Sequence, residues 1–398
     1  MMSAGGDREA GERTARPASR LVSRTCRGHT RLPPPARRVE RPNQEEILGD
    51  GMNRTNCYPG LAVACLALVV AGPGCPRSSN GRPGAGPVHS GLYAVIQDGK
   101  WGFIDRTGGF AITPRFESTG EFTEDLAPAR SGGKWGYIDR AGEFVIAPQF
   151  NQAGQFSESL AAVEVNGQWG YIDRAGEFVV VPQFDHALPY SEGLAPAGSG
   201  GQWGYIDRAG EFAIARQFGF AQPFSGGLAT AGVGNWPDFT IGYIDRTGEY
   251  VIPPRFSTAW PFSDGIARVA TGRMPAQAYG YIDRTGEFVV TPQFAEAGDF
   301  SEGLANVWKD GKTGFIDRTG KYVIAPQFTR GQKFSEGLAA VIKDGKWGYI
   351  DRTGRFVIDP QLGVAENFVA GLARVWVEGG YGYINRAGKL VFGPTPWR

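Results

Sequence analysis

The residues best suited to chemistry in this 398-residue chain are carboxylates that recur beside a guanidinium. They are Asp105-Arg106, Asp139-Arg140, Asp173-Arg174, Asp207-Arg208, Asp245-Arg246, Asp283-Arg284, Asp317-Arg318 and Asp351-Arg352, with Asn385-Arg386 ending the series. Carboxylates arrayed so regularly could ladder a divalent metal or the hydroxyls of a glycan. Each pair, however, is followed by Thr or Ala and then Gly. A carboxylate opening such a segment accepts backbone N–H bonds, and the glycine takes the left-handed position of a turn. Turn capping with pairing to neighbours therefore accounts for the series, because a group written nine times holds up a repeat rather than performing one reaction.

Other reactive types are sparse. His29, His89 and His186 are the three histidines, scattered over a tail, a linker and a loop, so they assemble neither a zinc site nor a histidine-based triad. Cys26, Cys57, Cys65 and Cys75 are the four cysteines, and all precede the repeating part, which is left without disulfides or thiolate ligands. The glycine-rich turns do not lead from a strand into a helix as a phosphate-binding loop does. No catalytic, metal-binding or cofactor-binding residue is assigned.

The elements that position these residues follow from a period. Gly-(Tyr/Phe)-Ile-(Asp/Asn)-Arg begins at Gly102, Gly136, Gly170, Gly204, Gly242, Gly280, Gly314, Gly348 and Gly382, in steps of 34 residues except for two consecutive steps of 38. Around each copy lie three short apolar runs. Asp98-Gly99, Asn166-Gly167, Asp310-Gly311 or Asp344-Gly345 separates the first two, and such pairs tolerate the positive φ of a tight hairpin. The Asp-Arg turn separates the second from the third, and Pro148, Pro182, Pro292 or Pro326 is expected to stop the third. The glycine of Trp135-Gly136-Tyr137 leaves a gap where a neighbouring unit is expected to stack. Phe150, Phe156, Phe184, Phe294, Phe300, Phe328 and Phe334 are expected to fill the space between units. The fold expected is all-β: nine units of about 34 residues, each a three-stranded antiparallel meander, in an open or superhelical array, with a closed propeller as the alternative.

Lys100-Trp101-Gly102-Phe103-Ile104-Asp105, Lys134-Trp135-Gly136-Tyr137-Ile138-Asp139 and Lys346-Trp347-Gly348-Tyr349-Ile350-Asp351 resemble the WG (KWG) repeat family of bacterial proteins over residues 92–394. Ile241, Tyr279, Thr313 and Tyr381 depart from its tryptophan, and Arg216 from its proline. The resemblance implies an all-β repeat array, often on exported or envelope proteins, with no common catalytic site.

Residues 1–51 carry ten arginines, seven acids and prolines at 33–35, a composition that cannot bury a core. Met52-Asn53-Arg54 and the apolar run Leu61–Ala71 then read as a secretory signal over 52–74, too short for a bilayer span of about 20 residues. Met52 is accordingly the expected start of translation. Cys75 after Gly72-Pro73-Gly74 resembles a lipoprotein processing site, with 75–91 as a linker and 395–398 as a tail. Beyond the signal, the chain keeps 30 Lys and Arg against 33 Asp and Glu, interleaved through every repeat. That balance excludes the clustered basic surface of a nucleic-acid binder.

The two 38-residue steps enlarge the same hairpin in consecutive units, around Trp236, Asp238 and Phe239 and around Arg273 and Met274. Aromatic residues, Met and Arg on variable loops of a rigid scaffold are types suited to partner binding. The expected function is a non-enzymatic scaffold at the cell envelope that binds a protein or a polysaccharide. Its alternative is a hydrolase of extracellular polymers with Asp238 and Glu296 as nominal acids.

Overall fold

The computed structural model describes residues 91–234, 240–273 and 276–396, and every regular element among them is a β-strand. The third unit shows the pattern: Gln152–Ala153 (strand a), Ala161–Val165 (b), Gln168–Ile172 (c) and Phe178–Phe184 (d) form one antiparallel sheet in the order a-b-c-d. Eight of the nine sheets have these four strands, and the first has three described ones, Tyr93–Gln97, Lys100–Ile104 and Phe110–Phe116. The expected meander therefore lacked one strand. Strand a is two residues long, too short to show alternation.

The turns form as their residue types require. Asn166 and Gly167 join b to c with φ of 53° and 84°, the two left-handed positions of a type I′ hairpin. Asp139 opens the c-d turn: its Oδ1 accepts from Ala141 N at 2.9 Å and Glu143 N at 3.0 Å. Strand d does not stop at its proline as expected. Phe144–Phe150 runs through Pro148, because d is an edge strand with no neighbour to receive the missing N–H.

Gly136 permits a close approach, though not the expected one. A Cβ there would lie 2.4 Å from Ile146 O and 2.7 Å from Pro148 N, so the backbone that closes over the glycine belongs to strand d of its own unit. The ladder is irregular at that point, between Trp135↔Phe150 and Tyr137↔Ile146. The bulge folds d onto the glycine of c, and neighbouring units pack elsewhere.

Packing between units is done by the aromatic and branched side chains. Leu126, Trp135, Tyr137, Ile146 and Phe150 of the second unit enclose Phe156, Ala161, Val163 and Ile172 of the third. Each fully buried ring stabilises by roughly 1.5–3 kcal/mol. The glycine of each Asp-Arg-x-Gly turn also rests on the preceding unit, Gly142 on Ile112 and Gly176 on Ile146.

The array is closed rather than open. Gly108 of the first unit rests on strand d of the ninth, against the Val391 backbone, where the other turn glycines rest on an Ile or Val side chain of the preceding unit. Tyr93, Val95 and Ile104 share a buried cluster with Leu372, Tyr381 and Tyr383. Tyr93 Oη donates to Ala370 O at 2.7 Å, Tyr383 Oη to Ala94 O at 2.8 Å, and Tyr381 Oη to Ile96 O at 2.6 Å. Phe110 meets Phe392 edge-on at 5.7 Å, as Phe116 meets Phe144 between the first two units. The open array expected from three strands per unit and nine copies is not what forms. With a fourth strand per unit and the ends joined by these contacts, the units are blades of a nine-bladed β-propeller.

Candidate functional site

Most residues written once per blade have structural duties. The tyrosine of each Gly-Tyr-Ile, where present, spans to the following blade. Tyr137, Tyr171, Tyr205, Tyr243, Tyr281 and Tyr349 donate to Gly154, Leu188, Gln222, Trp260, Gly298 and Glu366 carbonyls at 2.6–2.8 Å. Burial raises the phenol pKa of all six, so they remain neutral donors. The Asp of five turns, Asp105, Asp245, Asp283, Asp317 and Asp351, is held below the usual carboxylate range, chiefly by the hydroxyl of the Thr two residues on.

A second ring of turns joins strands a and b. Glu158 sits at φ +53°, an uncommon conformation for its type, and its Oε2 accepts from Gly193 N of the next blade at 2.9 Å, with Arg208 Nη2 at 3.4 Å. Glu124, Glu192, Glu302 and Glu336 cap Ser159, Gly227, Gly337 and Gly371 in the same way. Consecutive copies of the turn are thereby tied together from the second blade to the fifth and from the seventh to the ninth.

Function is best sought where the copies differ. The a-b segments and the third residue of Leu-Ala-x-Val vary from blade to blade, and the variation concentrates charge at two places. In the sixth and seventh blades, Arg268 Cζ stacks 3.7 Å from the ring centre of Trp260 while Nε lies 3.1 Å from Asp299 Oδ1, and its guanidinium also donates to Ala297 O. The Arg268 side chain is only 12% exposed, so this cation is largely withdrawn from water. In the ninth blade Arg374 Nε donates to Glu366 Oε1 at 3.0 Å, again with the guanidinium near a tryptophan, Trp376. Glu121 of the second blade comes within electrostatic reach of this pair. Dehydration raises its carboxyl pKa; Arg374 opposes the rise and Glu366 adds to it.

Of the residues expected to bind a partner, Arg273 is described and Trp236, Asp238, Phe239 and Met274 lie outside the described residues, as does Cys75. Arg273 O accepts from Ala276 N at 2.8 Å. The enlarged hairpins join b to c in the fifth and sixth blades, between Val233↔Thr240 and Thr271↔Ala278. Gln277 Nε2 anchors the second to Ser257 and Thr258 hydroxyls at 3.0 and 3.2 Å. Glu296 stands on strand a of the seventh blade, opposite Trp308, and His186 stacks on Trp203 at 5.7 Å. Among the described residues no three His, Cys, Asp or Glu stand close enough to hold a metal ion. Spacing alone does not mark the Arg268 and Arg374 clusters; their signal in the sequence is an arginine at the otherwise uncharged x of Leu-Ala-x-Val.

No curated protein matches the chain in sequence. Among solved structures, the crystal structure of a eukaryotic initiation factor is similar at a TM-score of 0.53 with 12% identity, covering 76% of this chain and 95% of that one. A quinonprotein alcohol dehydrogenase-like protein from Bacteroides thetaiotaomicron reaches a TM-score of 0.34 at 10% identity, over 76% of this chain and 75% of that one. The first likeness concerns the fold alone. The model of the WG containing repeat matches eight tandem segments, 101–135, 135–169, 169–202, 203–235, 241–272, 279–312, 314–347 and 347–379. These segments take up more than half of the chain, which belongs to the WG-containing repeat family.

Proposed function

We propose that this protein is a non-enzymatic binding scaffold, exported and tethered to the bacterial cell envelope through Cys75, whose closed propeller presents blade-specific side chains to a protein partner. One observation carries the reading: the recurring residues serve packing and turn capping, while Arg268, Asp299 and Trp260, and Arg374, Glu366 and Glu121, occur once each at variable positions of a rigid ring. Arginine and tryptophan held in place by neighbours are suited to recognition, because little side-chain freedom remains to be lost on binding. The signal-like segment at 52–74 supports export, and the two enlarged hairpins add a second surface on adjacent blades. Affinity capture from an envelope extract with the full chain and with an Arg268→Ala/Arg374→Ala variant tests this. A partner retained by the first and lost by the second supports the scaffold; identical capture by both refutes the assignment of these residues.

The hydrolase alternative keeps Asp238 and Glu296 as its nominal acids and adds Glu121, whose carboxyl pKa is raised within electrostatic reach of Glu366. Glu366 is committed to Arg374, which leaves it no free role toward a substrate. Glycan hydrolysis by the wild type that is abolished by Glu121→Gln would establish this reading instead.

A further inference from the structure

The ring of a-b turns contains an internal template for carboxylate recognition. In an intact copy, the glutamate at the first turn position extends across the junction to the next blade's turn. Glu192 Oε2 thus accepts from Gly227 N at 2.9 Å, and Glu302 and Glu336 accept from Gly337 and Gly371 at 3.0 and 2.9 Å. Where the arginine of the following Asp-Arg pair also reaches in, as Arg208 does toward Glu158, the carboxylate lies between a backbone N–H and a guanidinium.

The series is interrupted in the fifth blade. Gly226 occupies the glutamate position, with φ +62° and no side chain to offer. The next turn, Asp264-Gly265, keeps its glycine, but no carboxylate from Gly226 can reach Gly265 N–H. Arg284, the counterpart of Arg208, remains over the same spot: its Nη1 is 3.1 Å from where a Cβ of residue 226 would stand, and its Nη2 donates to Gly226 O. The turns loosen here as well. Ser225 and Ser263 hydroxyls are 3.4 and 3.3 Å from their acceptor carbonyls, against 2.6–2.7 Å for Ser157, Ser191, Ser301 and Ser335. Gly226, Gly265 and Arg284 are all exposed. The flanking acids are committed elsewhere, Glu192 to Gly227 N–H and Asp264 to Arg318 Nη2 at 3.0 Å.

We propose that Gly226, Gly265 and Arg284 form a carboxylate-binding subsite that receives a glutamate side chain of a partner protein, inserted where five other blades supply their own. Gly265 N–H and the Arg284 guanidinium are the donors, and the space a glutamate side chain fills in other copies sets the length of the guest. A charge-assisted bond to a backbone N–H at a fixed turn is the kind of contact that orients a partner while adding modest affinity. This deepens the scaffold reading and rests on it for the source of the carboxylate; the donor chemistry can be tested without any partner.

The test follows the Gly265 amide by nuclear magnetic resonance in the full chain, titrated with sodium acetate and with N-acetylglutamate α-amide. Sodium chloride at matched ionic strength and N-acetylglutamine α-amide are the controls. Both carboxylates should move the Gly265 proton downfield with saturation, and both controls should leave it in place, as should every addition at Gly227 and Gly337. Gly226→Glu should shift Gly265 without additive, remove the response to carboxylates, and raise the thermal midpoint. A Gly265 response that is absent, or equal for the controls, or that persists in Gly226→Glu, would overturn the subsite. Loss of the Arg268/Arg374-dependent partner with an intact Gly265 response would instead count against the scaffold reading alone.

Discussion

Replacing Tyr171 by Phe removes one oxygen from an enclosed place. The Tyr171 ring is fully buried against Tyr190 at 4.8 Å, and its hydroxyl donates to Leu188 O of the next blade at 2.7 Å. The first and seventh blades show that phenylalanine fits, since Phe103 and Phe315 occupy the equivalent position 1% and 0% exposed. Packing should therefore survive, and only the bond is lost. A net hydrogen bond contributes about 0.5–1.5 kcal/mol, and a buried carbonyl left without its donor costs about 1–3 kcal/mol. The expected destabilisation is about 1–2 kcal/mol, read from the midpoint of urea unfolding at neutral pH with an unchanged denaturant slope. A change below about 0.3 kcal/mol would show that the tyrosine bridges do not hold the blades together, well under the least that a buried bond contributes.

Other consequences follow from the same contacts. Gly136→Ala should cost about 3 kcal/mol or prevent folding, because its Cβ would lie 2.4 Å from Ile146 O. Gly132→Ala, at φ +59° with no atom within 4 Å, should cost only about 1–2 kcal/mol; comparable melting of the two variants would remove the close approach as the reason for the glycine. Asp105, Asp245, Asp283, Asp317 and Asp351 have depressed folded-state pKa values, so their stabilisation is complete above the unfolded carboxylate value near pH 4 and is lost as pH falls through the folded one. Thr319→Val should accordingly move acid unfolding to higher pH, and an unmoved midpoint would count against hydroxyl capping. Glu121 is raised, so its ionised form opposes folding. Because Glu121 is exposed and water screens its charge, Glu121→Gln should raise the melting temperature at pH 7 by less than about 1 °C, with the gain vanishing below about pH 4, where glutamate is protonated in both states.

The repeat, its turns and its filling were legible because each rests on local chemistry. Asn166-Gly167 and Asp139 with Gly142 formed the turns their types require, and Phe150, Phe156 and Phe184 are buried between blades. The closing of the ring was not legible. It depends on the rotation accumulated over all the junctions and on Tyr93, which stands where later blades have alanine and reaches Ala370 O. The partner of Gly136 was not legible for a related reason: alternation says which face a glycine occupies but not whether its own strand d or a neighbouring blade covers it. At the candidate site, the Arg374–Glu366 pair and Glu121 are far apart in sequence and meet only because the ninth blade returns to the first. The hairpins singled out by length do lie on consecutive blades, as their spacing required.

Closure itself is the claim on which the rest depends, and a pair of spin-label distances tests it. Asp310 and Asp344 open equivalent b-c hairpins of the adjacent seventh and eighth blades, and Glu378 and Asp98 open those of the ninth and first. With Cys26, Cys57, Cys65 and Cys75 replaced, labels at Glu378 and Asp98 should be separated by the same distance as labels at Asp310 and Asp344. A separation several times larger for Glu378 and Asp98 would mean that the two ends of the array do not meet.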